Sequence, residues 1–288
     1  MLRLALMMTV LTAIFVVVGY AIGLLVGAPE IIALLALIIA AVLNIVSFFY
    51  ADKLVLKMSH AKIVSETEQP TLHRIVGSLA AADGLPKPRV AVVDSPAPNA
   101  FATGRNPSNA VVAVTTGLMN TVNENELEGV LSHELSHIKH RDMLIMSIAA
   151  TVAGAISYVA LIGQFGMIGG TNSRNNNAGI FALVAVILGP LAAAMVQMAI
   201  SRSREYEADR GGALLSRKPL ALASALEKIE RAARGGAKMK ANPSTSTLWI
   251  VNPFRGDSIT ELFSTHPSTR KRIERLRAMD TAERFGSI

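Results

Sequence analysis

Residues 133–137 read His133-Glu134-Leu135-Ser136-His137. On an α-helix, positions i and i+4 share a face one turn apart, so the two imidazoles can be aimed at one cation. Glu134 is turned about 100° from His133 and reaches a water beside that cation rather than the cation itself. Zinc lowers the pKa of such a water towards about 7 and polarises a substrate carbonyl. A carboxylate next to it can take the water's proton and pass it to the leaving amine. H-E-x-x-H therefore reads as the cation site and the base of a peptide-bond hydrolase. The chain has no cysteine, so thiolate ligands and disulfides are excluded and any zinc site uses His and carboxylate.

A catalytic zinc takes three protein ligands and keeps one position open. A third histidine in the pattern H-E-x-x-H-x-x-G-x-x-H is excluded, because position 140 is His140 and position 143 is Met143. A distant glutamate remains: Glu205, Glu207, Glu227, Glu230 or Glu261. Choosing among them requires the elements that carry them.

The chain has 288 residues, 51% of them hydrophobic, and a mean hydropathy of +0.41, more apolar than a soluble domain of this length. Windows 4–29, 31–51, 143–173 and 175–201 contain no charged residue. Each reaches the roughly 20 residues that an apolar helix needs to cross a bilayer, which predicts spans near 5–26, 31–50, 144–168 and 179–200. The first window is longer than a signal peptide's core of about 7–15 residues and is read as a retained span. Of the 28 Lys and Arg, 9 lie in 51–142 and 17 in 201–288. The positive-inside rule then puts those two segments and the N-terminus in the cytoplasm. The net charge of +7 is not interleaved with aromatic residues, which argues against nucleic acid as a partner.

Four blocks follow: a transmembrane hairpin over 1–50, a cytoplasmic α+β segment over 51–142, a second transmembrane hairpin over 143–201, and a cytoplasmic helical segment over 202–288. In the second block, the spacing of Leu72, Ile75, Val76, Leu79 and Ala80 predicts a helix over 66–82 that stops at Gly84-Leu85-Pro86. Arg89–Asp94 and Ala110–Thr115 read as strands. Asn123 with Glu126 three residues on predicts the capped start of the H-E-x-x-H helix, and Asp142 and His140 are placed on that same helix. The polar stretch over 235–258, including Trp249, reads as a loop or disordered segment that can reach the site and be self-cleaved. Asn44, inside the second span, reads as a helix–helix hydrogen bond. His60 and His73 have no partner motif and read as structural or solvated.

This organisation narrows the third ligand. His137 precedes the third span by about 10 Å of helix and Glu205 follows the fourth by about 8 Å, so the two sit at similar heights on antiparallel neighbours. Glu205 or Glu207 then reaches the zinc, with Glu205 favoured. Asp209, at i+4 from Glu205, can accept a hydrogen bond from a ligand histidine.

Residues 133–142 followed by an apolar hairpin, then Ser201-Arg202-Ser203-Arg204-Glu205-Tyr206-Glu207-Ala208-Asp209, then His266-Pro267 with Arg272, together resemble the HtpX family. These are membrane zinc endopeptidases of bacteria and archaea, related to the CAAX prenyl proteases. The resemblance covers nearly the whole chain. It implies one Zn2+ per chain held by His133, His137 and Glu205, with Glu134 as base. It implies His266 near the substrate's oxyanion and Arg272 orienting it. Asn99, Ala100, Phe101, Ala102 and Thr103 are similar to the family's edge strand that pairs with the substrate backbone.

The fold class that follows is a mostly α membrane protein: four transmembrane helices with a cytoplasmic α+β zinc-metallopeptidase domain of the gluzincin kind. The expected function is proteolytic quality control, in which unfolded, misfolded or damaged membrane proteins are cleaved at the cytoplasmic face of a bacterial or archaeal inner membrane, as in a stress response. The expected partners are those substrates and the lipid bilayer, with an oligomer left open. The alternatives are a CAAX-type processing protease and a non-enzymatic zinc-binding membrane scaffold. Against the scaffold, no His, Asp or Glu lies inside a proposed span and Glu134 is intact.

Overall fold

The structure, a computed structural model, describes residues 2–149, 202–235, 248–250 and 267–285. Most of the third expected span, all of the fourth, His266 and most of 235–258 lie outside the described residues.

Two helices, α1 (Leu2–Val26) and α2 (Pro29–Met58), form the expected first hairpin. Asn44 Nδ2 donates to Thr12 Oγ1 at 2.9 Å across it, as the sequence suggested. The helix α2 runs eight residues past the expected end of the second span, because the apolar periodicity continues through Val55 into the sheet domain. Among the described residues α2 is long and apolar enough to cross a membrane; Met8–Leu24 is a shorter apolar stretch. Leu34, Ile38 and Ile45 are 58%, 52% and 59% exposed, a face that nothing in the described protein covers.

The sheet domain follows with β1 (Ala61–Ile63), α3 (Pro70–Ala82), β2 (Arg89–Val93), β3 (Ala100–Thr103) and β4 (Val111–Thr115). Helix α3 starts four residues later than its periodicity predicted. Pro70 opens it, and the turn before it is held by Glu68 accepting from the Ser65 backbone N–H at 2.7 Å. The strand order is β1-β2-β4-β3. Strands β2 and β4 pair in parallel, with Val90 opposite Val112. The edge strand β3 runs antiparallel to β4, with Phe101 opposite Ala113. Both faces are covered, as the unbroken apolar run of β4 requires. Val90, Val112 and Val114 pack with Leu131 and Leu135, while Phe101, Val111 and Ala113 pack with Val55, Met146 and Trp249.

After α4 (Thr116–Thr121) comes α5 (Glu124–Lys139), which starts where the sequence indicated: Asn123 accepts from the Glu126 N–H and Glu126 accepts from the Asn123 N–H. The helix does not continue through Asp142. Its C-cap is His140, Arg141 takes φ +59°, and a new helical stretch occupies 142–149. Three further helices complete the described chain: α6 (Arg202–Ser216), α7 (Pro219–Arg234) and α8 (Thr269–Phe285). Leu248, Trp249 and Ile250, expected in a loose loop, are instead 0–2% exposed. Three consecutive apolar side chains repay burial even within a polar stretch.

Candidate active site

Helix α5 is buried along most of its length and presents His133 and His137 from one face, as i and i+4 require. Helix α6 crosses it at close range. A Cβ on Gly212 would stand 2.7 Å from the His133 backbone nitrogen, so the absence of a side chain sets the approach of the two backbones. That approach delivers Glu205 to the histidines. Its Oε1 lies 3.5 Å from His137 Nε2 and its Oε2 3.9 Å from His133 Nε2, while the two Nε2 atoms are 3.2 Å apart. All three side chains are buried. Glu207, the competing candidate, is exposed on the other side of α6.

These spacings fit one metal ion. Donors bound about 2.0–2.1 Å from a tetrahedral zinc stand about 3.3 Å from one another. Each histidine also has its Nδ1 engaged: His133 Nδ1 lies 3.0 Å from Asp209 Oδ1 and His137 Nδ1 lies 3.4 Å from Asp142 Oδ2. With Nδ1–H donating to a carboxylate, each Nε2 lone pair is turned towards the other and towards Glu205. Lone pairs so placed want a cation between them.

Each supporting carboxylate has its own arginine. Arg272 Nε and Nη2 donate to the two oxygens of Asp209 at 2.7 and 2.6 Å. Arg204 Nη1 lies 2.5 Å from Asp142 Oδ1. Asp209 thus stands between His133 and Arg272. For Asp142 the sequence left support of a ligand histidine and anchoring at a membrane edge equally open. The reversal at Arg141 brings it back beneath His137, and nothing local in the sequence signals a left-handed arginine. Gly212 was missed; the signal was the pair Gly211-Gly212 inside an otherwise helical segment.

Glu134 is 2% exposed and lies beside the Ala102 backbone N–H on β3, which favours its charged form. Burial raises its pKa to about 7, Glu205 adding to the effect and His137 opposing it. Burial alone would lower His137, but the Asp142 hydrogen bond and the Glu205 carboxylate outweigh it and raise the imidazole to about 9. His133 stays below its ordinary value through burial, against the pull of Asp209. Asp209 is held low because Arg272 outweighs burial. Asn99 to Thr103 lie along the edge strand beside Glu134, so the site and that edge adjoin. His140 turns away and caps its own helix, its Nδ1 2.8 Å from Ser136 O, and His73 Nε2 lies 3.0 Å from Val64 O in a half-buried structural contact.

Two histidines and a glutamate converging beside a buried carboxylate form the core of a metallopeptidase site, and the pattern of Peptidase family M48 matches residues 66–280. The chain belongs to peptidase family M48. Within M48 it groups with proteins named protease HtpX homolog. The one from Pyrococcus abyssi is 51% identical over 277 residues, covering 96% of this chain and 94% of the relative. The one from Ralstonia pickettii is 51% identical over 276 residues, covering 95% and 94%. This M48 member is therefore a metalloprotease of the HtpX kind. The crystal structure of S. mikatae Ste24p covers 83% of this chain and 57% of its own, at 21% identity and a TM-score of 0.48.

Proposed function

We propose that this M48 protease is a zinc endopeptidase, anchored in a membrane by at least its α1–α2 hairpin, that cleaves unfolded or damaged membrane proteins at the cytoplasmic face. The observation that carries the chemistry is the convergence of His133, His137 and Glu205 beside Glu134. The uncovered apolar face of α2 and the charge asymmetry of the sequence support the setting.

His133, His137 and Glu205 would hold the ion, which when bound polarises the peptide carbonyl and acidifies water. A peptide lying extended beside β3 would add to the sheet through its backbone. Backbone pairing reads no side chain, which suits unfolded substrates of mixed sequence. Glu134, beside the Ala102 N–H at the strand edge, takes a proton from the attacking water and returns it to the amine. His266 is proposed as the donor that steadies the developing oxyanion, a contribution of about 3–4 kcal/mol.

The test compares wild type with Glu134→Ala and Glu205→Ala on an unfolded protein substrate. Glu134→Ala should lose about 10²–10⁴ in rate while keeping its metal. Glu205→Ala should lose both activity and most bound metal. Undiminished cleavage by Glu134→Ala would remove it as base.

A further inference from the structure

The outward edge of β3 is already partly in use. Asn99 O accepts from the Thr115 N–H at 3.0 Å, so Asn99 faces β4, and by alternation Phe101 and Thr103 do too. Ala100 and Ala102 therefore point their peptide groups outward. The Ala102 N–H faces Glu134, and the Ala100 N–H donates to Asn99 Oδ1 at 3.1 Å. The Ala100 carbonyl accepts from the Ile250 N–H at 3.1 Å. A peptide added to this edge would meet the chain's own backbone at Ala100.

That backbone is anchored in three ways. Arg272 Nη1 donates to the Ile250 carbonyl at 2.9 Å, using the same guanidinium that grips Asp209. Trp249 packs edge-on against Phe101, ring centroids 4.7 Å apart at 73°. Leu248, Trp249 and Ile250 are nearly free of solvent, and Ile250 belongs to the main core with Leu131 and Leu135. An element held from both of its peptide faces and buried on both sides is a fixed wall.

We propose that Leu248–Ile250 closes one end of the substrate-pairing edge, Ile250 filling the rung at Ala100, so that a bound peptide pairs only from Ala102 onwards. The inference rests on β3 being the substrate edge, as proposed above. It assigns Trp249 and Ile250 a role in specificity: backbone subsites end abruptly on the Ala100 side of Glu134 and continue on the Thr103 side.

The test uses the full-length protein in lipid nanodiscs with zinc and one cleavable peptide, lengthened a residue at a time at either end. In wild type, kcat/KM should stop rising at a shorter length on one end than on the other. Ile250→Pro deletes the N–H that occupies Ala100. At the short end, its ratio of kcat/KM for the longest to the shortest peptide should rise about two- to tenfold, the worth of one hydrogen bond. Trp249→Ala keeps the N–H but empties the contact with Phe101. It should shift the same ratio in the same direction, and it carries the test if Ile250→Pro loses its zinc. Length profiles in both variants matching wild type would overturn the wall. So would an equal gain for every peptide at both ends, which would make the segment a removable plug. Substrates N-methylated at successive peptide bonds separate this from the underlying reading. If no methylated position slows cleavage, β3 is not the pairing edge; if one does while the length profiles coincide, only the wall falls.

Discussion

The two metal-site histidines are supported by the same device built to different standards. Behind His133, Asp209 lies 3.0 Å away and is gripped at both oxygens by an arginine only 1% exposed. Behind His137, Asp142 lies 3.4 Å away and meets one nitrogen of Arg204, whose side chain is 17% exposed. The first support joins α6 and α8, deep between core helices. The second lies where α5 breaks, on the stretch over 142–149 that packs against the N-terminal hairpin through Leu11, Ala51, Leu144 and Ile148. One histidine is fixed by the core around the sheet, the other by the junction with the apolar hairpin.

The largest effect that would break this contrast is on folding. Arg272→Met leaves Asp209 charged and buried without its partner and should cost about 3–5 kcal/mol. Arg204→Met should cost about 1–2 kcal/mol, since Asp142 is nearer water. Thermal unfolding of the zinc-free proteins reads both, and equal losses would erase the distinction. Next comes metal affinity, measured by chelator competition. Asp209→Asn should weaken zinc binding by about 10–100-fold and Asp142→Asn by about tenfold at most. The reverse order would make the hairpin-side support the dominant one.

Protons give a finer test. In the metal-free protein His137 is raised to about 9 and Glu134 to about 7. Below those values each carries a proton, and a cation needs the His137 lone pair, so affinity falls as pH falls. Zinc uptake should release about two protons at pH 6 and about one at pH 8, read by calorimetry in buffers of different ionisation heat. Asp142→Asn removes the main support for the His137 proton and should reduce the release at pH 8; a release unchanged there would disconnect Asp142 from His137. The smallest effect concerns the break itself. Arg141→Gly relieves the left-handed backbone and should raise stability by about 0.5 kcal/mol without changing zinc affinity. A weaker zinc site would show that the arginine side chain contributes to the His137 support.

What was legible in the sequence is what depends on short spacing. The H-E-x-x-H pair, the Asn123–Glu126 box and the strands β2 and β4 each announce themselves within a few residues. Glu205 needed topology, because nothing at 205 itself distinguishes it from Glu207. What stayed open or was missed shares a cause. Asp142 works only because the helix stops where no glycine or proline stops it. Gly212 matters for what it faces, the His133 backbone, and that partner lies far away in the chain. Trp249 sits among prolines and serines that read as loop, while its burial comes from Phe101 on a strand well before it. The strand β1, three residues long, is below the length at which alternation can be seen.

Two Nε2 atoms 3.2 Å apart are close enough to share one proton or one cation. Below about pH 7, Arg272 neutralises Asp209, Arg204 neutralises Asp142, and a protonated His137 neutralises Glu205 while Glu134 is an uncharged acid. Exchanging the protons of His137 and Glu134 for one dication leaves that interior electrically unchanged. Below about pH 7, loading and ionisation of Glu134 are then a single event: the carboxyl gives up its proton as the ion arrives.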